Sequence, residues 1–268
     1  MNYVADDRQP TEREIAGQKG NLLRQENRII TRYNEEIISF LREDSVKNMN
    51  MIYFMEDYPV ESLDRIGDAV LLRGTSDHTW IYISSRDQAG LNAVAKGLTE
   101  EDTHFAAIEE WMVPALIRDK QVSWCLTMVR LLLPAYVTYP KIRDDIAPLS
   151  VNDAPVIYDN SRYKAVTSRS YIRERIRRGP GAGIYRQGKL VAWVMTHDDS
   201  SIGVMHVDER YRRLGFAHDL TVFLIEEVRR RGRIPYVHVE ETNAKSMNLA
   251  LKMGFRADRS LSWFEIRP

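Results

Sequence analysis

The chain is poor in several things that would have announced a function. It holds a single cysteine, Cys125, so neither an internal disulfide nor a thiolate metal cluster can be built. A reducing compartment, the cytoplasm, is the expected home. It has no surplus of either charge, because 38 Lys plus Arg stand against 38 Asp plus Glu. That balance argues against a dedicated nucleic-acid binder. No apolar run is long enough to cross a bilayer: the stretch from Val122 to Val137 is interrupted by Arg130 and Pro134. The start, Met1-Asn2-Tyr3-Val4-Ala5-Asp6-Asp7, lacks the basic head and apolar core of a signal peptide. There is no short-period repeat or low-complexity tract. No Gly-Lys-Ser/Thr triplet or Gly-x-Gly-x-x-Gly opens a helix, so phosphate loops of the common kinds are absent. No His and carboxylate spacing points to a metal site.

What is present is ordinary globular material: 268 residues, 44% apolar and 28% charged, with 14 Gly and 10 Pro. At roughly 150 residues per domain the length points to two domains. The run from Pro134 to Pro148, with Lys141-Ile142-Arg143-Asp144-Asp145 inside it, breaks regular structure and sets the expected boundary, 1–142 and 143–268.

In the first half, apolar residues from Ile15 to Leu41 recur at helical spacing, so a long helix is expected over Glu12 to Arg42, with Thr11 and Glu14 as a capping box. A second helix is expected over Ser45–Met55. A hairpin of Ala69–Arg73 and Thr79–Ile83 follows, then helices near Leu91–Leu98 and Ala107–Arg118 and a strand over Cys125–Leu132. This half is α/β and carries no recognisable chemistry.

The second half parses more sharply. Strands are expected at Ile146–Leu149, Ala182–Arg186, Lys189–Thr196, Ile202–Val207, Pro235–Glu240 and Leu261–Ile266. Helices are expected at Asn152–Asp159, Ser170–Arg178, Ala217–Arg231 and Ala244–Met253. Between the strand ending at Val207 and the next helix lies Arg212-Arg213-Leu214-Gly215-Phe216-Ala217. A glycine before a helix N-terminus lets backbone approach a ligand, and the unpaired N–H groups there attract an anion. Arg212 and Arg213 add charge, so the segment reads as a pyrophosphate cradle.

Further on stands Asn243-Ala244-Lys245-Ser246-Met247-Asn248-Leu249-Ala250-Leu251-Lys252-Met253-Gly254-Phe255. With the cradle before it, the stretch from Ile146 to the C-terminus resembles the GNAT superfamily of N-acetyltransferases. The turn Thr196–Gly203 and the upstream α/β half make it similar to the glycine N-acyltransferase-like branch, in which a worn GNAT-like half precedes the working one. The resemblance implies an α/β (α+β) fold with a mixed, splayed sheet flanked by helices. It implies acetyl-CoA as co-substrate and a small amine as acceptor. Backbone around Met205, His206 and Val207 would bond the pantetheine arm, Arg212, Arg213, Gly215, Phe216 and Ala217 the pyrophosphate, and Asn243 with Ser246 the far side of the arm. No metal, nucleic acid or membrane partner is implied, and a homodimer stays open.

Two positions depart from the family pattern. The usual tyrosine acid is Ala250, and the branch's glutamate base aligns with Ser201. The base therefore falls to Asp199, His206 or Glu240, between which the sequence does not choose. The basic run Arg229-Arg230-Arg231 complements the end of a helix dipole more simply than it binds nucleic acid. The competing reading is an acyl-CoA-binding or sensory module that keeps the cradle and has lost the acid and base.

Overall fold

A computed structural model describes residues 35–142 and 145–267. The chain divides into a unit of Met1–Asp44 and a unit of Ser45–Pro268. In the first, residues 35–42 are helical (α1), and the remainder of the long helix expected there lies outside the described residues.

The second unit is built on one eleven-stranded sheet in the order β1-β2-β3-β4-β11-β5-β10-β9-β8-β7-β6. Its first half comprises α2 (Ser45–Asp57), β1 (Val60–Ile66), β2 (Ala69–Thr75), β3 (Thr79–Ser85), α3 (Gln88–Ala95), β4 (His104–Glu109), α4 (Val113–Leu116) and β5 (Gln121–Leu132). Its second half comprises β6 (Ala147–Pro148), α5 (Ala154–Asp159), α6 (Arg169–Arg178), β7 (Gly181–Arg186), β8 (Lys189–Thr196), β9 (Ile202–Val207), α7 (Phe216–Arg230), β10 (Tyr236–Val239), α8 (Ala244–Lys252) and β11 (Arg256–Arg267).

The sheet order reads almost the same from either end. In one half β1, β2 and β3 pair antiparallel and β3 pairs parallel with β4. In the other, β7, β8 and β9 pair antiparallel and β9 pairs parallel with β10. The last strand of each half crosses over. β5 pairs with β10, β11 pairs with β4, and the two lie antiparallel against each other at the centre. Neither half can close its hydrogen-bond ladder without the other's final strand.

One expectation needs correcting. Residues 107–118 do not form one helix, because β4 ends at Glu109 and only Val113–Leu116 turn helical. Phe105 and Ile108 pack on Phe264 and Leu91 in a buried cluster, and a short apolar run does not distinguish a buried strand from a helix. The sequence gives no sign of β1, since Val60–Ile66 is polar and largely exposed at the sheet edge.

The core of the second half lies between the sheet and α7. Leu220, Leu224, Ile225 and Val228 recur at helical spacing and are all buried against Ala182, Val194, Ile202 and Val239. Each such side chain contributes about 1.5–3 kcal/mol. On the opposite face α5 and α6 pack Ile157 and Ile172 on Trp193 and Met195. Arg130, fully buried, pins α2 to the central strands: it meets Asp258 at 2.5 Å, Asn50 Oδ1 at 2.6 Å and the carbonyl of Val46 at 2.8 Å. Removing it would leave Asp258 without its buried counter-charge.

Candidate active site

The site is organised by a fork in the sheet. β9 and β10 pair in parallel only at Ile202 and Val237, and beyond that point they diverge. A bulge shapes the β9 arm. Trp193 opposes His206 while Met195 opposes Gly203, leaving one extra residue on β9, and Val204 sits at φ +47°. A β-branched residue in the left-handed region is strained by about 1–3 kcal/mol, and such strain collects at functional sites. The bulge also reorders the faces. Ile202, Met205 and Val207 point into the α7 cluster, whereas Val204 packs on the α5/α6 side. Strict alternation would put His206 on one face with both Val204 and Ile202. It stacks on Trp193 at 4.4 Å, and Ile202 is on the other side because the bulge breaks the alternation.

After Val207 the chain makes one short helical turn, Glu209–Tyr211, and enters α7 through Gly215 at φ +96°. No side chain caps α7, so its first N–H groups have no partner of their own. Arg213, exposed and at φ +66°, turns the preceding peptide. The Arg212 guanidinium is anchored at its base, 2.7 Å from Glu209 and 3.3 Å from the carbonyl of Val207. Phe216 is buried beneath the Arg186 guanidinium at 5.0 Å, which fixes the floor of the loop, and Ala217 follows it in the first turn of α7. Across the fork Asn243 is the N-cap of α8, its Oδ1 accepting from the Ser246 N–H at 3.3 Å. The same cap thus accounts for both residues of the second motif. Ala250 lies in the α7/α8 core, where a larger phenol would displace packing.

The three base candidates are in different surroundings. Glu240 follows the last residue of β10 at the mouth of the fork and accepts a hydrogen bond from the Tyr163 hydroxyl, delivered by the loop between α5 and α6. Burial and this carboxylate hold the Tyr163 hydroxyl protonated well above its usual range. His206 faces the same α5/α6 side. Burial, and then the Arg212 charge, lower its pKa, so the imidazole is neutral at pH 7. Asp199 is buried and fully engaged: Asn50 donates at 2.7 Å, Ser201 donates through its hydroxyl at 2.7 Å and its N–H at 3.0 Å. Ser201 is therefore a support for Asp199.

Asp199 belongs to a polar network at the closed end of the fork. His238 lies 3.9 Å away and Tyr236 donates its hydroxyl to the Asp199 carbonyl. Burial opposes the Asp199 charge, but His238, His197 and the Ser201 donors together keep its carboxyl below the usual range. Burial pushes His238 down to about 4. Burial and the neighbouring Asp199 push Asp198 up, to about 7. Asp198 accepts from Ser76 at 2.6 Å, joining the β2–β3 turn to the β8–β9 turn.

Sequence reasoning missed Tyr163 and His238. A signal for the last was present, since Tyr236-Val237-His238-Val239-Glu240 alternates polar and apolar with period two, and Val237 and Val239 do face the α7 core.

The FR47-like protein family model matches residues 181–264, from β7 into β11. A Drosophila protein of known structure is similar over 87% of this chain and 96% of its own, with a TM-score of 0.72 and 17% identity. A GNAT-family acetyltransferase structure from Novosphingobium aromaticivorans aligns over 79% and 97%, with a TM-score of 0.51 and 19% identity. A GCN5-related N-acetyltransferase from Kribbella flavida aligns over 82% and 94%, with a TM-score of 0.51 and 11% identity. No curated protein sequence matches the chain. The fold is the GNAT fold. In those terms the fork, the bulge on its β9 arm and the uncapped α7 belong to the second half, and the crossing of β5 and β11 joins that half to the first. Among the described residues no helix is long and apolar enough to cross a membrane, and no group of three His, Cys, Asp or Glu side chains is arranged to hold a metal ion.

Proposed function

We propose that the protein is a CoA-dependent N-acyltransferase that moves an acetyl group from acetyl-CoA to a primary amine by direct attack. The observation that carries this reading is the coincidence of a splayed, bulged β9 with an uncapped α7 entered through a left-handed Gly215. An extended pantetheine arm would enter where β9 and β10 stop pairing, its amides bonding β9 backbone as a strand would. Arg213, Gly215, Phe216 and Ala217 receive the pyrophosphate on the free N–H groups of α7, with Arg212 beside them. Asn243, with Ser246 held in its cap, flanks the arm on the α8 side.

Glu240 is the base this arrangement favours. It stands at the mouth of the fork with Tyr163 orienting it, while Asp199 is enclosed by its own donors. The amine gives a proton to Glu240, its nitrogen attacks the thioester carbonyl, and a backbone N–H near Val207 holds the oxyanion; such a donor is worth about 2.7–4 kcal/mol. Collapse of the intermediate breaks the C–S bond; the nitrogen releases its second proton to solvent and the CoA thiolate takes one from solvent, since Ala250 has none to give. His206, neutral beside Trp193, lines the α5/α6 side of the same mouth.

The burial of Ala250 and Ser201 favours the second reading, an acyl-CoA-binding module without turnover. Titration of the full chain with acetyl-CoA, followed by thiol release over a panel of amines, separates the two. Binding with release supports the transferase, binding without release on any amine supports the module, and no binding removes both.

A further inference from the structure

On the face of the sheet opposite α3 and α4, four residues from four strands stand in one cross-strand row. Trp80 of β3 pairs with His104 of β4, His104 with Glu265 of β11, and Glu265 with Trp124 of β5. Their chain neighbours Ile81, Phe105 and Phe264 turn the other way, into the α3/α4 core. The row is half-buried and its rings touch: Trp80 meets His104 edge-on at 5.6 Å and Trp124 at 6.4 Å. Asp77 accepts from the Trp80 indole at 2.9 Å, which turns the ring and places a second carboxylate at the rim. His78 stacks on His104 at 4.2 Å, and burial, then this neighbour, keep the His104 pKa below its ordinary value. The row contains no lysine or arginine.

The row is joined to β10. Trp263, two residues before Glu265 on the same strand, lies 4.6 Å from the His238 ring, and His238 alternates with Glu240 along β10. Beside it, Ser76 bonded to Asp198 closes the rim between the two halves. Aromatic faces bounded by carboxylates are a site for an organic cation, which gains from ring quadrupole and counter-charge together. A carboxylate-bearing acceptor would meet Glu265 and Asp77 at this rim.

We infer that the acceptor is an aliphatic di- or polyamine, with one amine at Glu240 and a distal ammonium resting on the row Trp80, His104, Glu265 and Trp124. This rests on the transferase reading for the reacting end, whereas the distal site can be tested without it. Spermidine and n-butylamine are titrated into the full chain, with and without acetyl-CoA, and followed by intrinsic tryptophan fluorescence and calorimetry. Spermidine is expected to bind roughly tenfold or more tightly than n-butylamine, and Glu265→Gln to weaken spermidine by about fivefold with n-butylamine unchanged. Trp124→Phe, which keeps a ring, is expected to weaken spermidine less than Trp124→Leu, and this series decides the matter should Glu265→Gln melt early. Equal affinity for the two amines, or spermidine affinity indifferent to these substitutions, overturns the inference even if acetyl-CoA binds. Spermidine binding that depends on Glu265 in a protein that does not bind acetyl-CoA would keep the cation site and remove the transferase.

Discussion

The two halves of the sheet contain the same junction in two versions. In each, a strand of the parallel pair ends and a helix begins on its far side, β3 into α3 and β9 into α7. At the first, Arg86 alone separates Ser85 from Asp87, whose carboxylate accepts the Gly90 N–H at 2.8 Å and caps α3. At the second, the chain makes a longer loop through Arg212 and Arg213 and enters α7 by a left-handed Gly215 with no side-chain cap. A helix N-terminus attracts an anion where its N–H donors are not already taken by a side chain. Asp87 takes up one such donor, so the first junction is closed, whereas the second leaves its donors open for the pyrophosphate of the proposed site.

The largest test of this contrast is at Glu240. Glu240→Gln should lower turnover about 10²–10⁴-fold with acetyl-CoA affinity unchanged, read by thiol release and calorimetry; equal loss of both would move the base elsewhere. Next, Gly215→Val must adopt φ near +96° and should weaken acetyl-CoA by about one to two orders of magnitude. The matching change in the first half, Gly90→Ala, would bring Cβ to 2.6 Å from the Ser85 hydroxyl and 3.2 Å from Ala69. It should lower the melting temperature and leave acetyl-CoA affinity alone. A loss of affinity there would mean that the first half also takes part.

Asp87→Ala removes a cap and should cost about 1 kcal/mol in chemical denaturation without creating a second CoA site. If a second site appeared, the carboxylate alone would have been what closed the first junction. The smallest effect concerns the seam. Asp198 titrates higher in the folded chain than unfolded, so the native state binds the extra proton and stability falls as pH rises from about 4 toward 7. Asp199 has the opposite sign, since its lowered carboxyl adds stability that is lost only as pH falls below the usual carboxylate range. Melting curves of Asp198→Asn should therefore show a flatter pH profile between 4 and 7 than the parent; an unchanged profile would assign that proton to another group.

The second half is largely legible in the sequence because its signals are local. The α7 stripe, Gly215 and the Asn243 cap each follow from residues within a turn or two of one another, and the elements from β6 to α8 lie within a few residues of expectation. Residues 107–118 read as a helix because Ala106, Ala107 and Ile108 are apolar at a spacing that suits either element. Strict alternation groups His206 with Ile202 because it hides a bulge, and the Val204 dihedral that creates the bulge has no sequence signature. Of β11, which runs from Arg256 to Arg267, only Leu261–Ile266 is apparent in the pattern, and nothing in it names its neighbours.

The sequence by itself determined a mixed α/β chain with an arginine- and glycine-bearing loop before one helix and a polar N-cap before the next, since periodicity, capping and glycine conformation act over a few residues. Only the tertiary structure decided that the closing strands cross between halves, that Tyr163 meets Glu240, and that Trp80, His104, Glu265 and Trp124 share a row. Those juxtapositions bring together residues far apart in the chain, and strand pairing is chosen by which ladder and which buried face remain open when the rest of the sheet has formed.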